Sequence, residues 1–229
     1  MSLQTSTIPY YAAPSHKAGG QLTGQLKDQA HITISERIEE KNEIENKDLL
    51  VVSPYTEKPH LLDLHTLELE SQLLAEALVE LKCLREDYAT APYTESFNWM
   101  EVMVSLQKLI EQSGLAWKDS SFYIVVFRSQ ILPTTIYADL GVLDKAAHAE
   151  AMASGGFLKY WFGTPNEAGR NLATCVWRSQ HDARVGSVGP AHEQAAGAAR
   201  KLYTEWAIER LRLSINDGAR EWSITKWIN

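Results

Sequence analysis

The feature that most constrains the fold is the run FYIVVFRS at residues 122–129. It consists of aromatic and β-branched residues up to Phe127 and lacks the apolar and polar alternation of a strand with one wet face. Continuous runs of this kind are typical of strands that are covered on both faces. The run therefore predicts the central strand of a sheet, with layers packed above and below it.

The segments that follow this strand predict the rest of the topology. In order they are a helix at 138–154, strands at 157–163 and 171–179, a helix at 191–206 and a strand at 208–215. The resulting order β-α-β-β-α-β is the split βαβ pattern, a four-stranded antiparallel sheet with both helices on one face. We therefore expect an α+β fold with a ferredoxin-like domain over residues 119–229.

The face of this sheet that the two helices leave free also needs a cover. Trp161, Trp177 and the apolar residues around them are too many to leave in contact with water. One cover is a second copy of the sheet, which would close a dimeric α+β barrel and make the protein a homodimer. The other is a helical hairpin that precedes the sheet in the chain.

Residues 49–118 predict a linker and a helical hairpin. Leucines recur at three- and four-residue steps over residues 64–84 and predict an amphipathic helix. A second helix is expected at 97–112, with Ser96 as its N-cap and Gly114 past its end. Residues 1–48 are poor in large apolar side chains and are expected to be a disordered arm, in which HITI at 31–34 could form a strand.

Composition excludes several classes of protein. The chain has 22 basic and 29 acidic residues, a formal net charge of -7, which argues against a nucleic-acid partner. Cys83 and Cys175 lie in a predicted helix and a predicted strand, so we expect no disulfide framework. The start of the chain does not have the pattern of a secretion signal, and apolar runs are too short to span a membrane. We therefore expect a cytoplasmic protein.

Four segments carry a family resemblance: SFNWMEV at 96–102, SGGFLKYWFG at 154–163, GRNLATCVWRS at 169–179 and GPAH at 189–192. They resemble an uncharacterised fungal protein family. More distantly, the C-terminal half is similar to the dimeric α+β barrel superfamily, which contains cofactor-free monooxygenases, haem enzymes and lactone isomerases. This resemblance implies a ferredoxin-like fold with a pocket for a hydrophobic small molecule, but no particular reaction.

Two histidines are the candidate catalytic residues. His148 lies beside the apolar stripe of the first helix with Asp144 one turn before it, an arrangement that suits a general base. His192 follows the Gly-Pro loop at the start of the second helix. The superfamily resemblance implies an alternative role for His192 as a haem ligand, because the haem-degrading members carry their axial histidine in the corresponding helix. No cofactor is favoured by the sequence.

Four residues are candidates for binding a substrate. Arg178 ends a strand, as Arg128 does, where a guanidinium group could orient an oxyanion. Tyr160 and Trp161 are adjacent in one strand and must face opposite sides, so one of them lines any pocket, and Tyr203 shares a helix edge with His192. The histidines show no metal-ligand spacing, and the motifs of serine hydrolases, P-loop proteins and dinucleotide-binding folds are absent.

Two functional hypotheses follow. The first is a small-molecule enzyme, such as a monooxygenase, isomerase, cyclase or dehydratase, that acts on a hydrophobic metabolite in a barrel pocket. The second is a non-catalytic dimeric protein with a binding or assembly role, in which the barrel serves only to dimerise. A hollow barrel would favour the first hypothesis and a filled one the second.

Overall fold

The computed structural model describes residues 49–228. Its helices are α1 (Leu69–Ala77), α2 (Tyr93–Ser96), α3 (Trp99–Ser113), α4 (Tyr137–Ser154), α5 (Gln180–Val185) and α6 (Pro190–Leu202). Its strands are β1 (Leu49–Val51), β2 (Leu61–Asp63), β3 (Ser120–Ile131), β4 (Phe157–Phe162), β5 (Arg170–Trp177), β6 (Tyr203–Asn216) and β7 (Glu221–Lys226). The arm expected at residues 1–48, including HITI, lies outside the described residues.

The main sheet has the topology that the sequence predicts. Strand β3 lies at its centre and pairs antiparallel with β5 on one side and β6 on the other. The spatial order is β4-β5-β3-β6-β7, with every neighbouring pair antiparallel. The first four of these strands have the ferredoxin-like order, so the predicted α+β class and βαββαβ unit are confirmed. Strand β7, at the far edge, was not predicted.

The boundary between the last helix and the last strand differs from the prediction. Helix α6 ends at Leu202 and β6 begins at Tyr203, where residues as far as 206 were expected to be helical. Tyr203 pairs with Ile131 and Trp206 pairs with Ser129. Because β3 offers a long edge for pairing, the ladder extends into the predicted helix, and Trp206 lies on a strand.

The helical hairpin before the sheet is present but shorter than predicted. The regular part of the first helix is α1, and the chain after Leu81 is not helical because Cys83 forms a bridge with Phe97. The second helix, α3, is close to the prediction and ends at Gly114, whose φ is 65°. Ser96 is not its N-cap. It belongs to α2, and its hydroxyl donates to the carbonyl of Pro92.

One face of the sheet packs against this hairpin. The sheet contributes the buried side chains Phe122, Ile124, Val126, Leu158, Leu172, Val176, Leu213 and Ile215. The hairpin contributes Leu73, Leu74, Leu78, Trp99, Val102, Met103 and Leu106. Of the two covers left open by the sequence, the hairpin is therefore the one on this face. Its side chains fill the space that a hollow barrel would have enclosed, and no second copy is needed to keep the face dry.

The opposite face packs against α4 and α5. Its buried cluster contains Tyr123, Ala151, Phe157, Trp177 and Ala183. Trp161 and Trp177 lie on opposite faces, since Trp161 packs against Phe97 of the hairpin side at a centroid distance of 5.0 Å. The prediction that both tryptophans belong to one uncovered face is therefore wrong. The register of β4 shifts between Phe157 and Lys159, which changes the alternation along this strand.

Candidate functional site

Helix α4 presents a carboxyl group and an imidazole one turn apart towards strand β4. These are Asp144 and His148, which share a helix face because their spacing is four residues. Tyr160 reaches them from β4. Tyr55 and His60 reach them from the segment between β1 and β2. We call these five residues the Asp144 cluster.

Asp144 accepts hydrogen bonds from two phenols. The Tyr55 hydroxyl donates to Oδ2 at 2.5 Å, and the Tyr160 hydroxyl donates to Oδ1. Burial raises the pKa of Asp144, although the two phenols stabilise the carboxylate and act in the opposite direction. Burial and the neighbouring carboxylate both raise the pKa of Tyr55 and of Tyr160, so the phenols keep their protons and remain donors.

His148 is paired with a second buried histidine. Its Nδ1 lies 2.9 Å from Nδ1 of His60, and each residue is only 4% exposed. Burial, with a smaller contribution from His60, lowers the pKa of His148 to about 3, and burial also lowers the pKa of His60. Both rings are therefore neutral near pH 7. The Nε2 atom of His148 is buried without a hydrogen-bond partner among the described residues.

Tyr55 and His60 belong to a segment, residues 52–60, that we call the strap. It is the loop of a two-stranded ribbon, because β1 and β2 pair on either side of it. The backbone N–H of Tyr160 donates to the carbonyl of Val52 at 2.9 Å, which joins the start of the strap to β4. Further along, Glu57 forms an ion pair with Lys145 of α4. The strap therefore lies across α4 and supplies part of the cluster.

The sequence predicted a pair between His148 and Asp144, but each of these residues has other partners in the structure. The structure joins Asp144 to the tyrosines and His148 to His60. Tyr55 and His60 were not predicted as site residues, because they are distant in the chain from α4 and lie in a stretch without periodicity. The alternation along β4 correctly indicated that Tyr160 and Trp161 face opposite sides.

His192, the second catalytic candidate, lies in a separate contact. Its Nδ1 is 2.7 Å from a carboxylate oxygen of Glu150, which also accepts from the backbone N–H groups of Ala191 and His192. These contacts lower the pKa of Glu150. Glu150 thus holds the first turn of α6 as a capping group would. His192 anchors this arrangement and is not brought into the Asp144 cluster.

The surroundings of His192 do not fit a haem group. An axial ligand needs an apolar slot that encloses the porphyrin, but α6 has no buried residue along its described length. His192 also has one ring nitrogen engaged by Glu150. Among the described residues, no cluster of three or more histidine, cysteine, aspartate or glutamate side chains could hold a metal ion.

Both arginines that were expected at strand ends are held by protein partners. Arg178 follows the end of β5, whereas Arg128 lies within β3, because this strand continues to Ile131. Arg178 makes two hydrogen bonds to Asp182, at 2.9 and 2.8 Å, and these bonds raise its pKa. Arg128 donates to the backbone carbonyls of residues 88, 89 and 91 and to the carboxylate of Glu209. Arg178 therefore connects the end of β5 to α5, and Arg128 connects the loop at residues 88–91 to the sheet.

The two remaining candidates, Trp161 and Tyr203, differ in their relation to the cluster. Trp161 packs edge-on against Tyr88 at 5.2 Å, on the hairpin side. Tyr203 lies on the other side, where its ring contacts Phe127. Burial raises the pKa of Tyr203 to about 12, with a smaller contribution from the charge of Asp144. Of the two, Tyr203 is the one near the cluster.

Two open grooves of the surface lie away from the Asp144 cluster. One groove of about 420 Å³ is lined by α3 and by the turn before β7, including Glu111, Trp117 and Arg220. It contains none of the cluster residues. None of the helices within residues 49–228 is long and apolar enough to cross a membrane. Cys83 and Cys175 are both free, and burial raises the pKa of the Cys175 thiol to about 12.

The fold and the cluster define an α+β protein of ferredoxin-like topology with a buried carboxyl, phenol and imidazole site. A family model described as PB2B2.08-like matches residues 51–226, so the chain belongs to the PB2B2.08-like family. A relative in Schizosaccharomyces pombe, UPF0643 protein PB2B2.08, is 38% identical over 175 residues, which cover 72% of this chain and 79% of the relative.

Solved structures with a related fold are more distant. Rv0793 from Mycobacterium tuberculosis is 19% identical with a TM-score of 0.35, over 39% of this chain and 92% of that chain. SnoaB from Streptomyces nogalater, described as a cofactor-independent oxygenase, is 16% identical with a TM-score of 0.32, over 39% of this chain and 90% of that chain. Similarity at this level carries no statement about activity.

Proposed function

We propose that this protein is a small-molecule enzyme in which Asp144 transfers a proton to or from a hydrophobic, aromatic substrate. The observation that carries the proposal is the environment of Asp144. It is a largely buried carboxyl with a raised pKa, and a phenol donates to each of its oxygens. Carboxyls whose pKa is shifted by burial are frequent among catalytic acids and bases.

The partners of Asp144 also favour this role. A carboxylate that serves only the fold is usually neutralised by a cation, as Asp182 is by Arg178. Asp144 is held instead by phenols that stay protonated, so its own proton affinity is not suppressed by an ion pair. The nearest lysine on its helix, Lys145, is engaged by Glu57.

The walls around the cluster suggest the class of substrate. The rings of Tyr55, His148, Phe157, Tyr160 and Phe162 pack against one another with centroid distances between 5.1 and 6.3 Å. Of these rings, Tyr55, Tyr160 and Phe162 keep part of their surface exposed, and an aromatic surface of this kind favours a flat, weakly polar molecule. Tyr55, Asp144 and Tyr160 each keep part of their surface exposed, which supports access from solvent.

The proposed step is removal of a proton from a carbon next to a carbonyl group. The Asp144 carboxylate takes the proton, and the electrons of the C–H bond move into the carbonyl to form an enolate. As Asp144 becomes neutral, the Tyr160 phenol turns its single O–H from the carboxyl to the developing oxyanion. Isomerisation and cyclisation both begin with this step. In this proposal Tyr160 and Tyr203 contact the substrate, whereas Arg178 and His192 maintain the fold.

Hydrogen–deuterium exchange at carbon tests this step without knowledge of the natural substrate. The purified full chain in D₂O is incubated with 1-tetralone, 1-indanone or 4-chromanone, and loss of the α-proton signal is followed by NMR. We expect exchange of at least one ketone to fall about 100-fold or more in Asp144→Asn. Asp139→Asn, an exposed carboxylate on the same helix, is the matched control and should keep the wild-type rate. Equal rates in wild type and Asp144→Asn for every ketone would contradict the proposal.

A second candidate, assembly as a homodimer, is favoured by a different observation. Trp206 is 54% exposed and stacks on Phe127, and Ile208 beside it is 39% exposed. These residues and Arg210 lie on the α4 side of the sheet, on a part of β3 and β6 that the helices leave exposed, because paired strands alternate in step. Exposed aromatic and arginine side chains of this kind are enriched in protein interfaces. In this candidate the face pairs with a second copy of the chain.

A further inference from the structure

The strap covers the Asp144 cluster through contacts that involve two buried histidines. Tyr55 bonds the carboxyl of Asp144, and the Nδ1 atom of His60 lies 2.9 Å from that of His148. The ring centroids of His60 and His148 are 5.0 Å apart, and Tyr55 lies 4.9 Å from His60. If the strap lifted, Asp144 and His148 would lose these neighbours and face solvent.

We infer that the strap is an acid-released cover: it closes over the site while His60 and His148 are neutral and lifts when either is protonated. That the covered site is a catalytic one rests on the proposed function. The contact between the two Nδ1 atoms requires one to donate and the other to accept. A first proton leaves this contact possible, because an imidazolium can donate to a neutral imidazole. It nevertheless places a charge in the interior and a hydrogen on the Nε2 atom of His148, which has no hydrogen-bond partner among the described residues. A second proton would leave two N–H groups facing each other.

The burial of the pair strengthens this effect. A buried imidazole without an anionic partner cannot keep a proton, because the charge would lose its hydration. When the strap lifts, both rings reach water and regain a pKa near 6.5. Protons therefore bind the open form preferentially, and falling pH shifts the equilibrium towards it.

Other titrating groups face the pair from three elements. They are Tyr55 and Glu57 of the strap, Asp144 and Lys145 of α4, and Tyr160 of β4. The phenols keep their protons below pH 8, because burial and Asp144 raise their pKa values. The ion pair with Lys145 lowers the pKa of Glu57, so this carboxylate stays charged above pH 5. Burial in the closed form raises the pKa of Asp144, so protonation of this carboxyl stabilises the closed strap. Asp144 therefore opposes the opening that protonation of the histidines causes.

The geometry of the strap suits a hinged movement. Its two ends are held by the pairing of β1 with β2, while its middle is held by side-chain contacts to α4. Pro54 and Pro59 fix φ near both ends of the loop, which limits the number of open conformations. Loss of the histidine contact would thus free the middle of the strap while the ribbon remains.

The test is amide hydrogen–deuterium exchange of the strap in the full chain without added ligand. Peptides that cover residues 52–60 are followed by millisecond labelling and mass spectrometry at pH 7.5 and 5.5, and each rate is divided by the intrinsic exchange rate at that pH. In the strap, the N–H of His60 bonds the carbonyl of Glu57 at 2.8 Å. We expect protection to fall about tenfold for each histidine that titrates, whereas peptides of α3 should not change.

Variants assign the effect to the pair. His60→Gln/His148→Gln replaces both titrating rings by neutral amides, so the dependence on pH should disappear. Glu57→Gln should keep it. Imidazole nitrogen NMR of the wild-type protein should show protonation with the same midpoint as the loss of protection. This comparison remains decisive if the double variant does not fold.

Unchanged wild-type protection between the two pH values would overturn the inference. It would also fail if Glu57→Gln abolished the dependence, or if strap opening preceded protonation of both rings. Ketone exchange measured at pH 7.5 is a separate result. If strap protection depends on pH but no ketone exchanges, the proposed enzyme role fails and the acid-released cover stands. If a ketone exchanges but strap protection does not depend on pH, the cover fails and the enzyme role stands.

Discussion

The Nδ1 atoms of His60 and His148 lie 2.9 Å apart in the protein interior, so one imidazole donates to the other and both are neutral. The two residues are 88 positions apart in the chain. Their contact joins the strap to helix α4 beside the carboxyl of Asp144. A proton on either ring would place a charge in this buried contact, and a proton on both rings would break the hydrogen bond.

The first prediction is a dependence of global stability on pH. Burial lowers the pKa of His148 to about 3 in the folded protein, against about 6.5 in the unfolded chain. The unfolded state therefore binds more protons between these values. The stability that neutral His148 contributes is fully present above about pH 7 and is lost as the pH falls from about 6.5 towards 3.

Urea unfolding at pH 7.5 and 5.5 measures this effect. The free energy of unfolding should fall by about 1.4 kcal/mol from His148 alone, because titration of one histidine changes the unfolding equilibrium constant about tenfold over this interval. His148→Gln should lose that part of the dependence. His181→Gln, at an exposed histidine, is the control and should keep it. The same pH slope in wild type and His148→Gln would show that His148 does not titrate on unfolding.

The second prediction concerns the hairpin as cover of the sheet. Met103 is fully buried against the sheet, whereas Met100, on the same helix, is 66% exposed. Met103→Ala should lower the free energy of unfolding by about 2 to 5 kcal/mol, because it removes buried methylene groups and leaves a cavity. Met100→Ala should change it by less than about 0.5 kcal/mol. Similar small effects of both changes in denaturant unfolding would mean that the hairpin does not pack on the sheet.

The order of the sheet could be predicted from the sequence because each segment carries its own local signal. The run at 122–129 and the glycines after α4 specify a buried strand and a helix end without reference to other parts of the chain. The end of α6 could not be predicted in this way. Residues 203–206 become a strand because β3 is long enough to pair with them, which is a tertiary effect.

Only part of the candidate site could be predicted from the sequence, for a related reason. His148 was identified because helix periodicity places it beside an apolar stripe, and Tyr160 because it and Trp161 must face opposite sides of one strand. Tyr55 and His60 lie in a loop without periodicity, and only the tertiary fold brings the loop to α4. For the same reason the sequence could not show that Arg178 is held by Asp182 rather than open to a ligand.

The third prediction uses two glycines. Gly156 has φ of 73°, and a Cβ atom there would lie 2.6 Å from Cγ of Asp182. Gly156→Ala should therefore destabilise the fold by at least about 1 to 3 kcal/mol, through backbone strain and displacement of Asp182. Gly141 is within α4 with open space around it, so Gly141→Ala should stabilise by about 0.5 to 1 kcal/mol. Thermal unfolding of both variants checks the signs, and a neutral Gly156→Ala would contradict the close approach.

The fourth prediction addresses assembly through the exposed face of β6. If this face pairs with a second copy, the full chain should sediment as a dimer at micromolar concentration. Trp206→Glu should then produce a monomer, because it places a charge in an apolar interface. Val142→Glu, which also changes an exposed apolar residue, should remain a dimer. A monomeric wild-type protein at all concentrations would remove the assembly hypothesis.

Carbon NMR titration of the Cγ atom of Asp144 measures whether this carboxyl is buried with the raised pKa that its proposed role in proton transfer requires. The resonance is assigned by its loss in Asp144→Asn. We expect a pKa above the ordinary value of about 3.9, because burial raises it. Tyr55→Phe and Tyr160→Phe should each raise the pKa further, since each removes a donor to the charged form. A pKa at or below the ordinary value, or one that does not respond to either phenol, would contradict the account.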